Sequence, residues 1–211
     1  MTQTLTAEQL FRNAYENRYT WDENFSGYTC DITYKTPTAT YTAKGEIESN
    51  LKFSVSDIQD SSAQKAIQEQ LWEITIHRVN HSFEKSHGEN TFSFGETDGD
   101  GAIEILLGGA GEGNKYKIKD NVVTLVYRKI RDVFVTIHTF EVLNTEKGYL
   151  SLSYDSVYAD AQTGEPKGVK SIFHDKFEKV GDYYVLTNRQ IIKETEQPTI
   201  TEFTFSNIVF N

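Results

Sequence analysis

Three of the five histidines, His77, His81 and His87, fall within one short stretch. On a helix, His77 and His81 at i and i+4 would share a face, a spacing that can put two imidazoles on one metal ion. Position 78 is Arg, so the His-Glu-x-x-His pattern of zinc proteases is missing. Exposed or helix-end histidines explain the same spacing, and we assign no metal. Asp98-Gly99-Asp100-Gly101 alternates carboxylates like the start of a calcium loop, but positions six and twelve are Ile103 and Gly109 rather than Gly and Glu. It reads as a hairpin loop. Gly108-Gly109-Ala110-Gly111-Glu112-Gly113-Asn114 is glycine-rich like a phosphate loop, yet strands are expected on both sides and no Walker lysine follows. It reads as a connection.

His138, His174, Asp155 and Asp175 stand in strand-like segments and could be combined into a hydrolase dyad or triad. No Gly-x-Ser-x-Gly elbow supplies the nucleophile. The single Cys30 cannot form an intramolecular disulfide, and its strand-like surroundings read as a buried thiol. No catalytic motif survives, so the reading leans away from an enzyme and calls for no cofactor. The densest candidate surface is the aromatic opening, with Tyr15, Arg18, Tyr19, Trp21 and Phe25 in eleven residues. Trp, Tyr and Arg anchor interfaces and line pockets. The same segment would serve equally as a packed plug, with Arg18 paired to Asp22 or Glu16. Trp72, on a predicted helix, completes the candidate ligand-binding set.

The elements that would position these groups are mostly strands. The chain has 23 Thr against 11 Leu, with 12 Tyr and 13 Phe, and such residues fit pleated surfaces. Thr6-x-x-Gln9 is a capping box, and Leu10, Phe11, Ala14 and Tyr15 continue at helical spacing, which predicts a helix over 6–18. A second helix is expected over 57–83, where Ile58, Ala63, Ile67, Leu71, Ile74 and Val79 recur at three and four. Strands are expected at 28–35, 40–49, 52–56, 91–95, 102–107, 115–119, 122–129, 133–143, 149–159, 168–177, 183–193 and 199–210. Asp120-Asn121, Glu146-Lys147-Gly148 and Gly181-Asp182 are turn signals that make neighbours antiparallel. Several strands carry apolar residues on both faces, as Tyr183, Val185 and Ile191 oppose Tyr184, Leu186 and Ile192. Something must therefore cover the second face.

The fold class expected is α+β, a strongly curved antiparallel sheet (half-barrel or open barrel) with two helices on its concave face, in a single domain over 1–211. The formal charge of −10 opposes nucleic-acid binding and docking on anionic membranes. No apolar run reaches the roughly 18 residues of a transmembrane helix, and no signal peptide is seen, so a cytoplasmic location is expected.

Thr6 to Asp22, followed by Phe25-x-Gly27, resembles the opening of an uncharacterised, mainly cyanobacterial family catalogued as a domain of unknown function. The order of short helix, hairpin, helical insertion and long meander is similar in layout to carriers of the LolA/LolB type. That resemblance implies a half-barrel whose helices close over an apolar face holding acyl chains. The apolar residues on both strand faces, with the aromatic opening as a lid, lead to the expected function: non-enzymatic binding or carriage of an apolar or amphipathic small molecule, lipid-like or pigment-like, between the curved sheet and its helices. The alternative is an assembly factor or homodimer that uses the second apolar face.

Overall fold

In the computed structural model, which describes residues 5–211, the helix nearest the start is α1, Ala7–Glu16. Thr6 caps it through both bonds of the capping box: its hydroxyl accepts from the Gln9 amide at 3.2 Å, and Gln9 Oε1 accepts from the Thr6 amide at 2.9 Å. The strands are β1 (Gly27–Lys35), β2 (Thr40–Glu48), β3 (Phe53–Ser56), β4 (Asn90–Thr97), β5 (Ile103–Gly109), β6 (Lys115–Lys119), β7 (Val122–Ile130), β8 (Val133–Thr145), β9 (Gly148–Asp160), β10 (Ser171–Val180), β11 (Tyr183–Lys193) and β12 (Thr199–Phe210). They form an α+β fold with a twelve-stranded antiparallel order that stays open, ending at β3 and β4.

The second predicted helix is two elements. α2 spans Ser61–Arg78, capped by Asp60, whose carboxylate accepts from the Ala63 amide at 2.8 Å. Val79 turns to extended backbone and ends it. Ser82 then caps a short α3, Phe83–His87. His81 therefore lies outside α2, and the shared helical face expected for His77 and His81 does not exist.

Contacts gather the chain into two compact units. One holds the residues up to Tyr19 with His81–Ile172, the other Thr20–Asn80 with Phe173–Asn211. In the first unit the strand order is β9-β8-β7-β6-β5-β4, a continuous meander. Its core is aromatic. Phe11 of α1 packs on Phe83, Phe92, Tyr116 and His87 with ring centroids 4.7–6.1 Å apart over Ile105, Leu107 and Ile118. Burial, with Arg18 and Arg128 nearby, pushes the His87 imidazole down to about 4, so it sits there neutral. At the β8–β9 hairpin, Gly148 has φ +124°, and a Cβ there would run into the Asn17 carbonyl.

In the second unit the order is β3-β2-β1-β12-β11-β10, and α2 packs on β2 and β3. Successive strand residues point to opposite faces. Val185 and Leu186 of β11 are both buried, so both faces are covered there, as the alternation requires. The stacked rings of Trp21 and Phe25 (4.0 Å, 7°) pack edge-on to Tyr28. The Trp21 indole donates to the Tyr184 carbonyl at 3.3 Å. Among the described residues the Tyr28 hydroxyl is the buried side-chain group left without a hydrogen-bond partner.

Candidate functional site

A half-open pocket of about 410 Å³ lies in the first unit. Its floor follows from strand register. Tyr127 pairs with Thr136 and Thr136 with Val157, while Lys129 pairs with Phe134 and Phe134 with Ala159. These positions share one face, and the Tyr127 and Phe134 rings stack across it at 4.9 Å and 11°. The next residue along β7, Val126, packs against the α1 cluster. The pocket therefore occupies the face of this sheet turned away from α1.

Its wall is the segment 161–170, which folds back along β9. Ala159 bridges to Pro166, and the Lys167 amide donates to the Tyr158 carbonyl at 2.8 Å. Asp160 organises the turn, accepting from the amides of Gln162 (2.8 Å) and Thr163 (3.0 Å) and from Lys167 Nζ (2.9 Å). Lys167 first, then the two amides, holds the Asp160 carboxyl well below the usual range. Pro166 and Val169 supply apolar wall.

Two residues beyond Thr136 and Val157 on the same face stand His138 and Asp155, directly paired in register. His138 Nδ1 lies 2.8 Å from Asp155 Oδ1, the His138 amide donates to the same oxygen at 3.3 Å, and Lys170 Nζ lies 3.2 Å from Oδ2. Burial works to raise the Asp155 carboxyl, but the hydrogen bonds from His138 and Lys170 outweigh it and hold it below its ordinary value. Only 7% of the Asp155 side chain is exposed, against 43% for His138 and 35% for Lys170. With Nδ1–H given to the carboxylate, the neutral imidazole keeps its lone pair on Nε2. A His–Asp pair is two parts of a hydrolase triad. Among the described residues no hydroxyl or thiol bonds Nε2 to complete it. Lys170 also lines the pocket, so the cluster marks the pocket's polar end.

The other strand carboxylate, Asp175, has a different setting. Arg189 grips it with Nε to Oδ1 at 2.8 Å and Nη2 to Oδ2 at 2.7 Å, and Nη1 donates to Gln70 Oε1 of α2 at 3.1 Å. Both side chains are sealed, at 6% and 2% exposure. Glu73 of α2 feels this pair, but burial dominates and raises its carboxyl.

The six residues expected to bind a ligand divide between the units. Tyr15, Arg18 and Tyr19 belong to the first. There the Arg18 guanidinium lies 3.8 Å above the Tyr15 ring and donates to the Tyr15 carbonyl at 2.9 Å. The Tyr15 hydroxyl meets Ser86 Oγ at 2.9 Å, and Tyr19 is buried. Glu16, one of the partners expected for Arg18, pairs instead with Arg12 at 2.8 Å. Trp21, Phe25 and Trp72 belong to the second unit, with the first two buried in the stack described above. Trp72 is half-exposed beside an open apolar groove shared with Leu51, Phe53, Ile76 and Val79. Of the alternating carboxylates at 98–101, Asp98 serves its own hairpin, accepting from the amides of Asp100 and Ala102 and from Lys117. The residues that sequence reasoning missed are Tyr127, Phe134, Val157 and Lys170. Their one local signal was Gly164-Glu165-Pro166-Lys167-Gly168, which marks a turn but not what the turn packs on.

A family model described as a protein of unknown function (DUF3386) matches residues 2–210. The chain belongs to the DUF3386 family. No curated protein matches it. Among solved structures, it is similar to a LolA superfamily protein from Nitrosomonas europaea, with 9% identity and a TM-score of 0.36 over 99% of this chain and 94% of that one. A DUF1329 family protein from Desulfovibrio piger gives 9% identity and a TM-score of 0.34 over the same shares. The MucA/MucB complex of Pseudomonas aeruginosa gives 10% and 0.24, over 94% of this chain and 92% of that one. Among the described residues of this DUF3386 member, no helix is long and apolar enough to cross a membrane.

Proposed function

We propose that this protein binds an apolar or amphipathic small molecule without transforming it, in the pocket between β7–β9 and the segment 161–170. The observation behind this is the pocket itself: about 410 Å³, floored by the stacked Tyr127 and Phe134 rings and walled by Pro166 and Val169. Small-molecule sites run from roughly 300 to 1,000 Å³ and are mostly apolar with a few placed polar groups. Each methylene buried there contributes about 0.8 kcal/mol. The expected place for a ligand was beneath the helices; this pocket lies on the other face of its sheet. Native mass spectrometry of the purified protein, with organic extraction, tests the reading. A bound amphipath is expected, and Val157→Trp, which fills the pocket, should release it. A protein that carries nothing and gains no thermal stability from added amphipaths would refute the proposal.

A second reading, a protein–protein surface, rests on half-exposed Trp72 beside exposed Ile76 in the second unit. It predicts a concentration-dependent size in light scattering that Trp72→Ala abolishes.

A further inference from the structure

We propose that the ligand of this pocket is an amphipath with an anionic head group, held so that its carboxylate or phosphate meets Lys170 and His138. The inference rests on the pocket reading above and adds the ligand's charge and direction. Two carboxylates bonded into the site, Asp155 and Asp160, are each engaged by the protein's own groups. Asp155 is almost fully covered and accepts three hydrogen bonds. Asp160 is wrapped by two turn amides and Lys167. The partners of Asp155 that reach solvent are the Lys170 ammonium and the His138 ring, a cation and an imidazole edge. A cationic head would meet Lys170 with like charge. A neutral head would gain nothing from that charge. An oxyanion is attracted to the ammonium, and a doubly protonated His138 ring would add a second donor at Nε2.

The apolar part has a matching course. From Asp155 to Ala159 the floor runs four residues along β9, about 13 Å at the usual strand rise. Val157 and Thr136 lie between, with Tyr127 and Phe134 alongside. The head would sit at the Asp155 end and the chain over the stacked rings, toward the turn at Asp160. Lys170 is bonded to Asp155 and also lines the pocket, which couples the two parts of the site.

The test uses cis-parinaric acid and its methyl ester as fluorescent probes on the full chain. The acid is expected to bind about tenfold tighter than the ester, the size of one modest charge interaction. Lys170→Gln should bring the acid down to the level of the ester. His138→Gln should narrow the gap in the same direction, so the proposal does not hang on one variant. Tyr127→Ala should weaken both probes alike. Competition by dodecanoate against dodecyl phosphate then distinguishes a carboxylate from a phosphate ligand, and preference for either supports an anionic head. Equal binding of acid and ester to the unaltered protein, with Tyr127→Ala weakening both, would overturn the head-group assignment while the pocket reading stood. Failure of both probes to bind would overturn the two together.

Discussion

Asp155 and Asp175 are built from the same parts and put to different uses. Each is a strand carboxylate on the face of a long antiparallel element, and each is bonded to a cation from elsewhere in its own unit. Asp175 has its cation sealed in with it: Arg189 is 6% exposed and reaches on to Gln70. Asp155 is equally hidden, but its partners His138 and Lys170 are 43% and 35% exposed. In the sealed pair all the charge is used internally, and the geometry is a two-point grip that only a guanidinium makes. In the open cluster the carboxylate is used to hold two groups whose outer edges face a pocket. Enclosure of the cation, rather than the identity of the carboxylate's partners, separates a structural pair from a candidate binding site.

The largest effect expected from this contrast is at Arg189. Arg189→Ala takes the two-point guanidinium grip away from buried Asp175, and should cost about 3–5 kcal/mol in chemical denaturation. Replacing both, as Arg189→Met with Asp175→Leu, should recover most of that loss. If Arg189→Ala costs no more than Lys170→Gln, the division into sealed and open clusters is broken. Asp155→Asn should cost less, about 1–3 kcal/mol, because solvent reaches the groups it abandons. Its pH dependence carries a sign. The Asp155 carboxyl is held low in the folded protein, so its contribution is present above the ordinary carboxyl value near 3.9. It fades as pH falls through the folded value. The gap between the native protein and Asp155→Asn should therefore be full at pH 7 and shrink below about pH 4; a gap that widens on acidification would contradict the bonding described. The smallest effect sharpens the picture of the second unit's interior. Tyr28→Phe removes a buried hydroxyl without a partner and should raise stability by about 1 kcal/mol, and a loss of that size would show that the hydroxyl is satisfied in solution.

Local chemistry made much of the fold readable. Thr6 and Gln9 declared a helix start, and β6, β11 and β12 have the bounds that alternation predicts. Asp120 and Asn121 adopt φ of +50° and +61°, the left-handed pair that a two-residue hairpin needs. Where reading failed, a tertiary term had taken over. The helix expected over 57–83 runs across a break at Val79, because Phe83 opens a separate capped turn and joins a different core. Phe140 follows the alternation of β8 on paper. A register shift between Thr139 and Glu141 takes it out of the pairing, and it ends 64% exposed. The candidate site was the least readable part. His138 and Asp155 were visible as types, but their pairing depends on the register of two thirteen-residue strands. Lys170 reaches them only because the 161–170 segment doubles back, and no residue near it announces that partner.

The strand order carries a consequence for how the chain is made. β1 ends at Lys35 and is hydrogen-bonded on one side to β2, its immediate successor, and on the other to β12, which begins only at Thr199. A nascent chain leaving the ribosome can close the β1–β2 hairpin at once. The other edge of β1 stays unsatisfied while the whole β4–β9 meander is synthesised. Such a long-range closure is slow and leaves an adhesive edge open meanwhile. The first unit can complete its own meander before that edge is closed, so the order of synthesis runs opposite to the order of the sheet: the strand that begins the second unit waits longest for its neighbour.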